Sequence, residues 1–322
     1  MADYSKGRHE VADGVHAWLQ PDGDWGLSNA GYVARGGEGL LVDTLFDLHL
    51  TREMLDALRP LTDRAPIGTV VNTHANGDHC YGNSLLPGTR VVASAAAARE
   101  MDEMPPAALA GLKELAGEPG ADPVFAAWVE HAFGPYDFAG VELDPPTDTF
   151  TGTLSLPVGD GRVDLIEVGP AHTAGDVIAH VPDAGVVFTG DILFHQGTPI
   201  MWAGPIDNWI AACDRIVALA PTVVVPGHGP LTDAAGVAHT RDYLTFVRDE
   251  VTARHGAGMT YLEAANDIDL GHYAELEAFG RIVVTAHAMY RTLAPEQPTT
   301  DILTLLAEMA HYEARDNPRN FV

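Results

Sequence analysis

The stretch from Val70 to His79 restricts what this chain can form more than any other part of it. An apolar, β-branched run ends there in a cluster of two histidines, an amide and a carboxylate. These ligand-type residues are His74, Asn76, Asp78 and His79. Gly77 interrupts the cluster and no helical apolar period runs through it, so we predict a strand over about residues 69–72 that passes into a loop. Imidazole and carboxylate side chains suit zinc, iron or manganese, and the stretch therefore predicts a metal site at a strand end.

The charge of the chain limits its partners. The 322 residues carry 18 Lys and Arg against 45 Asp and Glu, a formal net charge of −27. A surface this acidic repels phosphate backbones and anionic lipid, so we expect a small-molecule substrate and neither a nucleic-acid nor a membrane partner. General solubility also explains the acidity, which by itself identifies no substrate.

The cysteines and the first residues predict the compartment. Cys80 and Cys213 are the only cysteines, too few for a disulfide framework. Residues 1–8 contain no apolar signal region, and no run approaches the about 18 apolar residues of a transmembrane helix. These features predict a cytoplasmic protein.

The order of elements indicates a mixed α/β chain. An amphipathic helix is expected over 47–61, between buried strands at 39–44 and 67–72. Ala-rich helical segments broken by Pro and Gly predict a helical insertion over about 95–139, after a strand at 90–94. Further strands are expected at 149–154, 163–168, 177–181, 185–191 and 223–229.

The C-terminal part is predicted to be helical. Asp207 is expected to cap a helix that runs to about residue 219. After residue 231 the helical patterns lie at 234–255, 261–265, 273–293 and 301–315. We therefore assign residues 1–232 to one catalytic domain and 233–322 to a helical C-terminal extension packed on it.

Several predicted strands end in loops that carry ligand-type residues next to glycines. Besides the first cluster, these are His172, Asp191 and His228. Close approach of several backbone segments to one centre requires glycine, so the pattern points to a shared site. Together with Val42-Asp43-Thr44, Thr189-Gly190-Asp191 and Pro226-Gly227-His228-Gly229, the pattern resembles the metallo-β-lactamase fold superfamily of metallohydrolases over residues 14 to about 232.

That resemblance implies an αββα sandwich with a metal site at its edge. By position, His74 and His172 match ligands of a first metal, and Asp191 matches the carboxylate that bridges two metals. The matches to ligands of the second metal are Asp78, His79 and His228. Asp43 matches a buried acid that orients the site.

Asn76 departs from the family motif, His-x-His-x-Asp-His, which has a histidine at this position. An amide oxygen is a far weaker zinc ligand than imidazole and carries no charge. Either Asn76 coordinates weakly or through water and leaves a loosely held first metal, or that metal is absent. The retained His172 and Asp191 favour two metals, and we expect one or two zinc ions, with iron or manganese as alternatives.

The resemblance implies a hydrolase in which a metal-held hydroxide attacks an ester, thioester, lactone or amide, with Asp78 and Asp191 orienting it. A β-lactamase is disfavoured because such enzymes act outside the cytoplasm. A polyketide cyclase/thioesterase of the same fold, in which the metal stabilises an enolate, is the alternative. A metal-free binding protein is a third reading, supported by Asn76 alone.

Other residues are candidates for the substrate cleft or the surroundings of the site. Pocket-lining roles are considered for Trp25, Tyr81, His195, Met201 and Trp202. Cys80 is expected to be a buried structural thiol that points away from His79 on a strand-like backbone. The apolar helical tail can cover either the sandwich or a second subunit, so a homo-oligomer stays open.

Overall fold

Two β-sheets form the centre of the computed structural model, which describes residues 4–296 and 298–316. The first sheet contains, in spatial order, β1 (Gly7–Ala12), β2 (Val15–Leu19), β3 (Ala30–Arg35), β4 (Glu38–Val42), β5 (Ile67–Val71), β6 (Arg90–Ser94) and β7 (Asp148–Phe150). The second contains β8 (Thr153–Val158), β9 (Gly161–Glu167), β10 (Val177–Val181), β11 (Val186–Phe188) and β12 (Val223–Val225), again side by side in chain order.

Both sheets are mixed. In the first sheet β1 to β4 pair antiparallel and β4 to β7 pair parallel. In the second, only β11 and β12 pair parallel. The helices are α1 (Leu48–Thr62), α2 (Gly77–Cys80), α3 (Ala95–Glu100), α4 (Pro106–Ala116), α5 (Pro123–Phe133), α6 (Ile206–Ala218), α7 (Ala234–Gly256), α8 (Tyr261–Asp267), α9 (Arg281–Leu293) and α10 (Ile302–Asp316).

The alternation of side chains along the strands creates the layers. In β4, Leu40 belongs to the apolar cluster between the two sheets, whereas its neighbour Leu41 lies in the cluster that contains Met54 of α1. In β11, Val187 belongs to the same outer cluster as Trp209 of α6. Each sheet therefore packs one face on the other sheet and its opposite face on helices. The predicted αββα sandwich is confirmed.

The chain changes sheets where the sequence predicted one strand. Residues 149–154 were expected to be continuous, but β7 ends at Phe150 in the first sheet and β8 starts at Thr153 in the second. Gly152 has a φ of +73°, a conformation that side chains other than glycine rarely adopt. The turn at this glycine makes the crossing, so the single-strand prediction was wrong.

Three other boundaries differ from prediction. Helix α6 begins at Ile206 after Pro205, and Asp207 lies inside its first turn instead of capping it; proline is well suited to a helix start. The predicted helix over 273–293 is a 3₁₀ turn at Gly271–Glu275 followed, after a break, by α9. The loop after β5 contains the single turn α2.

The insertion and the tail flank the sandwich. Helices α3 to α5 lie between β6 and β7, and α7 to α10 follow residue 232. Among the described residues, no helix combines the length and the apolar character that crossing a membrane requires.

Candidate metal centre

Asp191 lies at the centre of the predicted ligand set. Its Oδ2 is 3.8 Å from His74 Nε2, 3.4 Å from His172 Nε2 and 3.5 Å from His228 Nε2. Its Oδ1 is 3.0 Å from His79 Nε2. One carboxylate therefore faces four imidazoles, an arrangement that places it between two groups of ligands.

Asp78 completes the second group. Its Oδ2 is 3.2 Å from His228 Nε2 and 3.7 Å from His79 Nε2. The ligand atoms form two sets of three, and within each set the atoms lie within 4.8 Å of one another. One set belongs to His74, His79 and Asp191, and the other to Asp78, His79 and His228. The structure thus brings the carboxylate oxygens and imidazole nitrogens of six of the seven predicted ligands close to one another.

The ends of neighbouring strands deliver these side chains. His74 follows β5, Asp191 follows β11 and His228 follows β12, which runs parallel to β11. Gly227 allows the last two loops to meet, because a Cβ there would collide with Asp191 Oδ1 and lie 2.6 Å from the Gly190 carbonyl carbon. Carboxyl ends of parallel strands share one edge, which is where the site lies.

All four imidazoles are held through Nδ1. His172 Nδ1 donates to the Ile200 carbonyl at 2.6 Å, and His228 Nδ1 donates to the Gly23 carbonyl at 3.0 Å. His79 Nδ1 lies 2.9 Å from Asp43 Oδ2. These contacts assign the proton to Nδ1 and direct Nε2 to the centre, as metal-binding histidines require.

Asp43 serves two histidines. Its carboxylate accepts from the Thr73 amide at 2.7 Å and from the Thr73 hydroxyl at 2.8 Å, in addition to its contact with His79. The same hydroxyl lies 3.0 Å from His74 Nδ1. A chain from His74 through Thr73 to Asp43 and on to His79 therefore orients one imidazole of each predicted metal position.

The four histidines of the centre divide into two pairs, one with a raised pKa and one with a lowered pKa. Burial acts to lower the pKa of His79, but Asp191, Asp78 and Asp43 hold it well above its usual value. Burial opposes protonation of His228 too, yet Asp191 and Asp78 raise its pKa to about 9. Burial lowers the pKa of His172, and the same cause, together with the charge of His79, places the pKa of His74 well below its usual value.

The carboxylates stay ionised in this setting. Burial acts to raise the pKa of Asp191, but His228, His79 and His74 together hold it well below its usual value. His79 and His228 likewise outweigh burial at Asp78 and lower its pKa. The centre therefore has acids that remain charged and imidazole nitrogens from which a metal cation can displace a proton.

Unpaired buried atoms test whether a cation suits these residues. His74 Nε2, His79 Nε2 and Asp191 Oδ1 are buried and have no well-oriented hydrogen-bond partner. A buried polar atom without a partner costs about 1–3 kcal/mol. These three atoms belong to candidate ligands that meet at one centre, so the donor set fits a metal ion such as zinc.

Asn76 lies on the first-metal side. Its amide nitrogen is 3.2 Å from His172 Nε2, and because His172 donates through Nδ1, the amide donates to that nitrogen. The residue immediately precedes α2 and is half-buried. Asn76 therefore occupies the lone pair that His172 would offer a metal, and an ion there requires the amide to turn.

The predicted pocket residues fall in different places. The Trp202 amide donates to the His172 carbonyl at 2.9 Å, and the Met201 amide donates to Thr285. Trp25 makes an edge contact with Trp128 of α5 at 5.4 Å, two residues after the Gly23 carbonyl that binds His228. Trp202 therefore contacts a candidate ligand, whereas Met201 and Trp25 each lie within two residues of a backbone carbonyl that binds one.

Tyr81 and His195 lie outside the ligand set. Tyr81 is buried, stacks on Phe46 and donates to the Met104 carbonyl. The His195 backbone contacts His228, but burial, with the charge of His239, lowers the pKa of its imidazole, and no candidate ligand contributes to that shift. Cys80 is buried as predicted, with its thiol on the Ala75 carbonyl, although the backbone there is the helical turn α2 and not strand-like.

The sequence did not single out Asp176. Its carboxylate accepts from the amides of Ala171 and Thr173 and from the Thr173 hydroxyl, so it shapes the turn that carries His172. Burial raises its pKa to about 7. The short polar run that ends in this acid was the available signal. Phe194 and Arg281 were also missed, and no local pattern marks them.

Known proteins share this fold. The family model described as the metallo-beta-lactamase superfamily matches residues 23–228. Hydroxyacylglutathione hydrolase from Cereibacter sphaeroides is 32% identical over 121 residues, 37% of this chain and 43% of that protein. Linear primary-alkylsulfatase from a Pseudomonas species is 23% identical over 263 residues, 72% of this chain and 48% of that protein.

Solved structures extend the likeness of the fold. The stereoselective inverting sec-alkylsulfatase from Pseudomonas sp. has a TM-score of 0.67 at 16% identity and covers 92% of this chain and 52% of its own. A metallo-β-lactamase from Pontibacter korlensis has a TM-score of 0.55 at 19% identity and covers 75% and 99%. The matched parts span less than half of the two curated relatives. Because the family model covers most of the sandwich and more than half of the sequence, the chain belongs to the metallo-β-lactamase superfamily.

Proposed function

We propose that this chain is a metal-dependent hydrolase that cleaves an ester, thioester, lactone or amide bond of a small molecule. The observation that carries the proposal is the position of Asp191, whose carboxylate faces Nε2 of four buried imidazoles. Each imidazole is fixed through Nδ1 by a separate acceptor. This degree of orientation is expected for metal ligands and has no other evident purpose in a buried cluster.

Zinc is the proposed ion, and iron and manganese suit the same donors. His74, His172 and Asp191 would hold a first ion, and Asp78, His79, His228 and Asp191 a second. Only the first position depends on Asn76. We therefore propose two ions, of which the first is bound more weakly, because a neutral amide stands where the family has imidazole.

The residues of the chain orient the reaction. When bound, the metal lowers the pKa of a coordinated water and polarises the substrate carbonyl. Asp78 keeps 13% of its side chain exposed, against 3% for Asp191, so it is the more accessible of the two acids and can accept a hydrogen bond from the attacking water. Asp191 is buried and ionised and would fix the same water from within.

The relatives widen the set of substrates worth testing. The curated names include a hydroxyacylglutathione hydrolase and an alkylsulfatase. A carbonyl ester, a thioester, a lactone, an amide and an alkyl sulfate ester therefore form the panel. The net charge of −27 favours neutral or cationic small molecules over polyanions.

Hydrolysis is tested by running the panel in ¹⁸O-labelled water with zinc-loaded protein. We expect one ¹⁸O atom in the acid product of at least one substrate. Cleavage of none of the substrates would contradict the proposal, and a ring-closed product without label would instead support the cyclase alternative. Asp191→Ala is expected to be folded, metal-poor and inactive, and full activity in that variant would remove Asp191 from the mechanism; Asp207→Ala, an exposed acid in α6, is the control.

A further inference from the structure

Arg281, the first residue of α9, is a buried cation beside the metal centre. Only 3% of the residue is exposed. Its Nη1 donates to the Thr198 carbonyl at 3.2 Å, and its Nη2 lies 3.7 Å from Asp24 Oδ1. An arginine this deep is costly unless its charge and its planar face are both used.

The guanidinium lies over two aromatic rings. Its central carbon lies 4.5 Å from the Trp25 ring and 5.2 Å from the Phe194 ring. Phe194 in turn stacks on the imidazole of His228, with centroids 5.1 Å apart and ring planes 8° from parallel. The two segments are also joined as an isolated parallel bridge between Phe194 and His228. One ring therefore separates Arg281 from a candidate ligand.

The loop that contains Asp24 and Trp25 contacts the same ligand through a backbone carbonyl. The Gly23 carbonyl accepts the Nδ1 proton of His228. Asp24 Oδ2 binds His131 of α5 at 2.7 Å. Arg281 contacts both the charged and the aromatic residue of this loop, so its contacts bear on both supports of the His228 ring.

We propose that Arg281 is a positioning residue of the metal centre, which acts through Phe194 and through the loop at Gly23–Trp25 to hold the His228 imidazole with Nε2 directed at Asp78 and Asp191. The proposal rests on the proposed metal-dependent function. It assigns a role in the site to the C-terminal helical region: that region supplies the cation that fixes a ligand of the sandwich.

An anion-binding role for Arg281 is less consistent with its surroundings. Asp24 lies next to the guanidinium, and Glu313 and Glu277 are close enough for Arg281 to lower the pKa of each, against the larger effect of burial. The cation therefore already faces acids of the chain. An anionic substrate group would have to compete with them, whereas the ring contacts leave the positioning role intact.

The test compares Arg281→Met and Phe194→Leu with the wild type. The second variant removes the ring that contacts both partners and changes no charge. Arg254→Met is the matched control, since Arg254 is another largely buried arginine of the tail, 16% exposed, whose ion pairs with Glu250 and Asp267 touch no candidate ligand. Zinc affinity is measured by competition with a chromophoric chelator, and ligand geometry by the visible absorption of the cobalt(II)-loaded protein.

We expect Arg281→Met and Phe194→Leu each to lower the affinity for one zinc ion about tenfold, as loss of a supporting group typically does. We expect both to shift the same cobalt band, and the double variant to lose less affinity than the sum of the two single losses, because the two residues share the route through Phe194. Arg281→Lys, which keeps the charge without the planar face, should recover only part of the affinity.

Two outcomes separate this inference from the proposed function. If the wild type binds zinc and folded Arg281→Met binds it with the same affinity and cobalt spectrum, Arg281 only stabilises the fold and the inference is wrong. If the wild type binds no metal, the proposed function itself fails. Should Arg281→Met not fold, unchanged zinc affinity and cobalt absorption in Phe194→Leu would overturn the inference by itself.

Discussion

Gly227→Ala tests whether the close approach of two loops sets the position of Asp191. The added Cβ would collide with Asp191 Oδ1 and lie 2.6 Å from the Gly190 carbonyl carbon, whereas ordinary contact begins near 3.4 Å. The loops would have to separate by about 0.8 Å, and forcing an extra carbon into a packed interior costs about 1–3 kcal/mol. Asp191 faces all four imidazoles, so this displacement reaches all four candidate histidine ligands.

We expect the variant to fold with lower stability and to bind zinc at least about tenfold more weakly. Urea denaturation and chelator competition measure the two effects separately. Gly111→Ala is the control, because Gly111 is exposed in α4 and its added Cβ would meet nothing within 4 Å; there alanine should stabilise the helix by about 1 kcal/mol and leave zinc binding unchanged. Wild-type zinc affinity in folded Gly227→Ala would refute the argument that this glycine positions Asp191.

Three further predictions follow from the same contacts. Asp43→Ala leaves three buried donors without an acceptor and should lower the free energy of unfolding by about 3–5 kcal/mol and weaken zinc binding. Asp47→Ala, which removes the cap of α1 and the acceptor of the Asp137 amide, should cost about 1–2 kcal/mol in urea denaturation and leave zinc binding unchanged. Because carboxylates raise the pKa of His79 and of His228, zinc must displace their protons, so affinity should rise from pH 6 to pH 8 with proton release in calorimetry; a pH-independent affinity would contradict this. Burial raises the pKa of Glu313 to about 7, above its value in the unfolded chain, so ionisation of Glu313 destabilises the native state as the pH rises to 7. Glu313→Gln should therefore reduce the loss of stability between pH 5 and pH 8 by about 3 kcal/mol at most. An unchanged loss would argue against the raised pKa.

The candidate metal ligands were accessible to sequence reasoning because they are chemically distinctive and adjacent to strand ends. His74, Asp78 and His79 lie within residues 74–79, directly after a strand, and the remaining ligand-type residues follow strands in the same way. Their meeting at one edge follows from the parallel pairing of β11 with β12 and of β4 with β5. Alternating apolar residues similarly fixed the two faces of each sheet.

The backbone carbonyls that orient His172 and His228 could not be predicted. The Gly23 carbonyl binds a histidine 205 residues further along the chain, and a backbone carbonyl has no sequence signature. Phe194 and Arg281 depend in the same way on long-range packing. The break between β7 and β8 was missed because Gly152 lies in an otherwise strand-like run, where its positive φ turns the chain into the second sheet.

Metal content per chain tests the central claim most directly, by elemental analysis of protein purified without chelator, beside Asn76→His. We expect up to two equivalents of zinc in the wild type, with the first ion lost more readily on dialysis, and two firmly held equivalents in Asn76→His. One equivalent that does not increase in Asn76→His would contradict the assignment of His74 and His172 to a first metal. No bound metal, and no uptake of added zinc, iron or manganese, would contradict the metal centre itself.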